Sequence, residues 1–218
     1  MKKVSLLFVA TALLLPSTSL YAGSVVFSQN FDTLTTGLGV TSVGNFTAIN
    51  GTNVDIVNNG MGYGALCAGP ESGNCVDLGG SNGNPFGQLQ SNAITLGPGT
   101  YDLSFDLIGS QRSGYGTTSS TVTLGTMGNP TQLYNNSFDN MAYNDITSGI
   151  VNTQFTLTGT ETVYLDFDLT ASGNGNVGQL LDNVEIAATP EPSSLLLLGT
   201  GFVALAGFAR RKFASRNA

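Results

Sequence analysis

Thr100–Gly109 reads TYDLSFDLIG and Thr162–Ala171 reads TVYLDFDLTA. In the first stretch Tyr101, Leu103, Phe105 and Leu107 alternate with Asp102, Ser104 and Asp106. In the second, Val163, Leu165, Phe167 and Leu169 alternate with Tyr164, Asp166 and Asp168. A period of two sustained this long predicts strands with one face buried and the other in water. Weaker alternation predicts further strands at Ser24–Phe27, Asn53–Val57, Cys75–Leu78, Gln88–Leu96, Ser120–Leu124, Gln154–Leu157 and Asn183–Ala187. Twenty-nine glycines, with abundant Asn, Ser and Thr, divide the chain into short segments, and no helical period lies between its ends. The expected fold is all-β: one antiparallel β-sandwich of jelly-roll topology over residues 23–188, long enough to bury a full core. The two alternating stretches share geometry and do not mark a repeat.

The ends of the 218-residue chain read differently. Lys2 and Lys3 precede an apolar run from Val4 to Leu15, then Pro16 and a polar stretch ending in Tyr21-Ala22-Gly23. That is the plan of a secretory signal peptide over residues 1–22, cleaved after Ala22. Near the C-terminus, Ser193–Ala209 carries no charge. As a helix it spans about 26 Å at roughly 1.5 Å per residue, just short of a bilayer core of about 30 Å. Arg210, Arg211 and Lys212, with Arg216 beyond, form a stop of the kind that stays cytoplasmic.

These ends hold six of the seven basic residues, leaving Arg112 alone against all fourteen acids in the exported part, a balance of −13. Such a domain does not bind nucleic acid or an anionic membrane by charge, since those contacts need lysine and arginine. It stays soluble and attracts cations. The two cysteines, Cys67 and Cys75 in CAGPESGNC, read as one disulfide in an oxidising compartment. With no histidine in the chain, a zinc site and an imidazole-assisted nucleophile both lack their ligands or base. The one lysine beyond the signal, Lys212, lies in the C-terminal tail, so none in the body replaces it. Two carboxylates among Asp102, Asp106, Asp166 and Asp168 could serve glycoside hydrolysis. Their alternation opposite the apolar faces places them where solvated charges belong, and the expectation is a protein that is not an enzyme.

Pro190-Glu191-Pro192, followed by Ser193-Ser194, the apolar span and the arginine cluster, resembles a PEP-CTERM sorting signal over residues 189–218. The resemblance implies that an exosortase in the inner membrane of a Gram-negative bacterium recognises the Pro-Glu-Pro and cleaves nearby. The transiently anchored protein then moves to the cell surface or extracellular matrix, where such systems accompany exopolysaccharide and biofilm. A permanent single-span anchor is the alternative.

Within the body, VDLGGSNGNPFGQLQSNAITLGPGTYDLSFDLIGSQR (Val76–Arg112) and GQLLDNVEI (Gly178–Ile186) resemble galactose-binding-like jelly rolls, including DUF642-type proteins and carbohydrate-binding modules. Asn30-Phe31-Asp32 and Asp182-Asn183-Val184-Glu185-Ile186 match their early segment and closing strand, which the resemblance places side by side. It also implies a structural Ca²⁺ there, with Asp32 and Asp182 as ligands and Asn30 as a further one; the alternative is that both aspartates cap turns. Sugar modules often stack pyranose rings on tryptophan, and this chain has none. Tyr63, Tyr115, Tyr134 and Tyr143, all in loop-like sequence, are the candidate substitutes, with ordinary packing as the alternative for each. The leading functional expectation is a non-catalytic surface or matrix protein that associates with exopolysaccharide. A self-associating structural protein without a sugar site and a carboxylate-dependent glycoside-active enzyme are the other two.

Overall fold

The computed structural model of the protein describes residues 23–70, 73–173, 175–189, 198–203 and 205–206. The expected signal peptide, the Pro190-Glu191-Pro192 motif and the stop at Arg210, Arg211 and Lys212 lie outside them. Residues 198–203 and 205–206 are helical, and no helix among the described residues is long and apolar enough to cross a membrane.

The two alternating stretches become β9 (Gly99–Ile108) and β13 (Glu161–Ala171), one in each of two seven-stranded sheets. The first sheet runs β12 (Gly149–Leu157), β9, β14 (Leu180–Ala188), β6 (Asn74–Asp77), β5 (Val54–Asn58), β2 (Gly37–Val40), with β1 (Ser24–Gln29) on the later part of β14. The second runs β11 (Asn129–Met141), β10 (Thr118–Thr126), β13, β7 (Gln88–Ser91), β4 (Phe46–Ala48), β3 (Ser42–Val43), with β8 (Ile94–Leu96) on the start of β13. Every pairing is antiparallel. The chain changes sheet eight times, between β2 and β3, β4 and β5, β6 and β7, β8 and β9, β9 and β10, β11 and β12, β12 and β13, and β13 and β14. Repeated crossing of this kind makes an antiparallel sandwich of jelly-roll type.

The inward faces are those the alternation marks. Leu103, Phe105 and Leu107 of β9 and Val163, Leu165, Phe167 and Leu169 of β13 are buried. Phe105 meets Phe167 edge-to-face across the sandwich at 5.2 Å between ring centroids, an arrangement aromatic pairs favour. Burying each such side chain contributes roughly 1.5–3 kcal/mol. A smaller cluster of Val57, Leu66, Ile108 and Leu180 surrounds the Cys67–Cys75 disulfide, whose Cα atoms lie 5.7 Å apart.

Three differences from the sequence reading have physical causes. The expected strand Gln88–Leu96 is two short strands, β7 and β8, which pair with different parts of β13. Thirteen-residue β11 was not expected. It lies at the edge of the second sheet and buries only Phe138 and Met141, so its sequence shows almost no alternation. Tyr134, expected in a loop, therefore lies in β11. It is half-buried with its ring edge-on to Phe105 at 6.2 Å, which is core packing.

Candidate ligand-binding end

The crossings between sheets leave four loops at one end of the sandwich, after β6, β9, β11 and β13, and the β5–β6 hairpin loop folds back towards them, its Tyr63 ring meeting Arg112. Backbone bonds tie neighbours together: Gly109 N donates to Asp145 O and Gln111 N to Tyr143 O, both at 2.7 Å. In the β11–β12 loop Asp145 is held below the ordinary carboxylate range by hydrogen bonds from the Ser148 and Thr147 hydroxyls and amides. Gly79 and Gly178 approach so closely that a Cβ on either would collide with the backbone of the other. Glycine is required at both for this contact and not for its torsional freedom.

Asp77 fastens this end. Its Oδ1 accepts from Gly79 N at 2.8 Å and from Gly178 N at 2.7 Å, joining two loops 101 residues apart in sequence. Its Oδ2 faces Arg112 Nη2 at 3.6 Å. The carboxyl is fully buried, and desolvation pushes its pKa up to about 7. The two backbone amides and Arg112 pull against that, while Asp55 adds to it. Arg112, the sole cation of the exported part, lies 4.8 Å over the Tyr63 ring, within cation–π range. Asp55 in turn accepts from Gly39 N at 2.6 Å and Ser81 N at 3.1 Å. Neither Asp77 nor Arg112 was singled out by the sequence as a site. The available signal was that a lone cation in so acidic a body needs a partner.

Three of the four nominated tyrosines lie in loops linked at this end: Arg112 meets the Tyr63 ring, and Gln111 of the Tyr115 loop donates to Tyr143 O. Tyr63, Tyr115 and Tyr143 are 47%, 41% and 38% exposed. Tyr63 belongs to the loop after β5, Tyr115 to that after β9 and Tyr143 to that after β11. One face of Tyr63 is taken by Arg112. Tyr134 lies apart on β11, and its burial pushes its phenol pKa up.

The chain ends do lie side by side, since β1 pairs β14 with Gln29 opposite Val184. Asp32 Oδ1 accepts from Asn74 N at 3.1 Å, and Asn30 Nδ2 donates to Asp32 Oδ2 at 3.4 Å. Asp182 is buried opposite Asp106, and its Oδ1 accepts from Asn183 N at 2.7 Å. Among the described residues no group of three or more His, Cys, Asp and Glu side chains is placed to hold a metal. Calcium's six to eight oxygens would have to come largely from amide and backbone groups.

The four strand aspartates split between opposite faces. On the outer face of the first sheet, Asp102 accepts from Gln154 at 2.8 Å and from the Thr189 hydroxyl at 3.2 Å, and Asp106 accepts from Asn183 Nδ2 at 2.8 Å. On the second sheet Asp166 accepts from Gln90 at 2.9 Å. Burial raises both Asp166 and Asp168 above the ordinary carboxylate range, and Asp168 repels Asp166 as well. The two stretches therefore do not contribute carboxylates to a common cleft.

Residues 188–212 match the PEP-CTERM protein-sorting motif. The motif marks an exported protein that is anchored in the membrane and then processed by an exosortase. It begins at Ala188, the last residue of β14. No curated protein matches the chain. Among solved structures it is similar to a cleaved adhesin domain of Lys-gingipain from Porphyromonas gingivalis, at 17% identity over 77% of this chain and all of that domain, with a TM-score of 0.47. It is similar to the CBM22-1 xylan-binding domain from Paenibacillus barcinonensis, at 14% identity over 79% of this chain and 99% of that one, with a TM-score of 0.42. A third likeness is to an arabinose-bound α-L-arabinofuranosidase, at 12% identity over 77% of this chain but 26% of the enzyme, with a TM-score of 0.49.

Proposed function

We propose that this protein is a non-catalytic component of the cell surface or extracellular matrix of a Gram-negative bacterium, delivered there by exosortase and associated with exopolysaccharide through its sandwich. The observation that carries the reading is the sorting motif at 188–212, which starts where the last strand stops. Processing near Pro190-Glu191-Pro192 separates the tail and leaves the folded sandwich intact. The loop end supports the sugar part, since Tyr115 and Tyr143 offer exposed rings beside backbone polar groups, a combination on which hexoses can stack.

Two measurements test this. Mass spectrometry of mature surface material should lack the residues from Leu195 to Ala218; the intact C-terminus there would sink the processing claim. Pull-down on the producing cell's own exopolysaccharide should retain the protein, and Tyr115→Ala with Tyr143→Ala should weaken retention about tenfold or more. Unchanged retention by the double variant removes the loop end from the reading.

A second reading, self-association, is favoured by β12. It forms the edge of the first sheet with nine residues that carry no charge, no proline and no register shift, and edges usually carry such protection. Assembly of the purified protein without any polysaccharide retention would make it the better account.

A further inference from the structure

We propose that the outer face of the first sheet is a docking surface for a cationic polysaccharide, an amino-sugar polymer bearing free ammonium groups. The proposal deepens the exopolysaccharide reading and rests on it. The register aligns Asn152, Ser104, Glu185 and Ser28 in one row across β12, β9, β14 and β1. Asp102 and Asp106 stand two residues to either side of Ser104 on the same face of β9. Four strands at about 4.8 Å spacing make a row about 14 Å long, enough for two to three sugar units. Two adjoining depressions of about 450 and 430 Å³ run along this face and share Glu185. The β5–β6 loop covers the end of this face beyond Asp106, where Ile108 and Leu180 are buried against Leu66. The row itself lies outside that cover, with Val25 and Ile150 at its borders 51% and 43% exposed.

Charge decides which polymer fits. The face presents carboxylates, amides and hydroxyls, with no cation and no aromatic ring among these positions. The one cation of the exported part, Arg112, is engaged with Asp77 at the loop end. A uronate or sulfate polymer would bring like charge to three carboxylates. A neutral polymer would find hydrogen bonds but no ring to stack on. An ammonium-bearing polymer gains both ion pairs and hydrogen bonds, its hydroxyls meeting Asn152, Ser104 and Ser28 while its amines meet Glu185, Asp102 and Asp106.

The test uses the purified full chain and three probes: partially N-deacetylated glucosamine oligomers, the fully N-acetylated oligomers of the same length, and a uronate polymer. The deacetylated probe should bind at least about tenfold tighter than the acetylated one, and the advantage should fall as salt rises through the range where the Debye length shrinks to about 10 Å. Each exposed carboxylate should contribute roughly two- to fivefold, so Asp102→Asn with Glu185→Gln should weaken binding about tenfold. The charge-matched pair Asp139→Asn with Glu161→Gln, on strands of the other sheet, should leave it within about twofold. Melting curves of both pairs establish that each is folded. Equal loss in the two pairs, or equal binding of the acetylated or uronate probe, overturns this proposal and leaves the polysaccharide reading standing. Failure of all three probes, together with failure to retain the native exopolysaccharide, overturns both.

Discussion

Asp77 and Asp102 both lie on strands that pair with β14, yet water reaches only the second. Asp77 at the loop end is fully buried, bonded to two loop amides and backed by the protein's one exported cation. Asp102 on the open face of the first sheet bonds to the exposed Gln154 and the half-buried Thr189 side chains. The difference lies in what removal leaves behind. Without Asp77, two buried amides lose their acceptor and a guanidinium loses its counter-ion, whereas without Asp102 water takes its place. Asp77 therefore holds the fold, whereas Asp102 stays within reach of solvent and of anything that docks on the face.

The sharpest test is a pair of substitutions. Asp77→Ala should destabilise the protein by about 3–5 kcal/mol, as when one partner of a buried pair is deleted. Asp102→Asn should stay within about 0.5 kcal/mol, as for a surface change. Chemical denaturation of the two variants checks both values. Similar losses would mean that the face is as structural as the loop end.

Acidity sharpens the same contrast. Burial pushes Asp77 up to about 7 in the folded protein, from an ordinary 3.8. Between those values the folded state holds a proton that the unfolded state has released, so folding binds protons. The stabilisation is complete below about pH 3.8 and is lost as pH rises through about 7. Asp166 and Asp168, also raised by burial, act in the same direction. Denaturation midpoints should therefore fall from mildly acidic to neutral pH, and Asp77→Asn should flatten most of that slope. A wild-type midpoint that rises over the same range would show that Asp77 is solvated.

The disulfide comes next. Cys67→Ser with Cys75→Ser opens a loop of sequence separation 8, so the loss should be roughly 2–3 kcal/mol at most, because a short loop removes little chain entropy. The Cys67–Cys75 bond clamps the loop after β5, which carries Tyr63. Hydrogen exchange should accordingly rise there and not on the strands of the open face.

How much of this was written in the sequence follows from the range of each interaction. Alternation exposed β9 and β13 because each packs one whole face on the core, and local composition was enough to pair Cys67 with Cys75. β11 was hidden because an edge strand that buries only Phe138 and Met141 has no period to read. The first half of β12 was hidden for a similar reason: Ile150 and Asn152 are both exposed. Three candidate tyrosines could be named one by one, but that Tyr115 and Tyr143 share one end depends on which loops the crossings bring there. Asp77 was visible only as part of a short strand, since its partners Gly178 and Arg112 come from distant loops. The sorting motif was fully legible because an enzyme reads it as linear sequence.

The smallest expected effect decides what Tyr63 is for. Its ring lies under the Arg112 guanidinium and is also 47% exposed, so it could serve the fold, a ligand or both. If the ring steadies Arg112, Tyr63→Ala should cost about 0.5–1 kcal/mol, the range for an exposed cation–π contact. Tyr63→Phe should restore nearly all of it, because the ring and not the hydroxyl makes the contact. A double-mutant cycle with Arg112→Gln isolates the pair, since other losses cancel when each single change removes only this interaction. Coupling near 0.5–1 kcal/mol assigns Tyr63 to the structural loop end, beside Asp77. Coupling near zero, with polysaccharide retention lost in Tyr63→Ala, moves the ring to the side of the comparison that faces outward, and the sugar surface at this end then includes Tyr63 with Tyr115 and Tyr143.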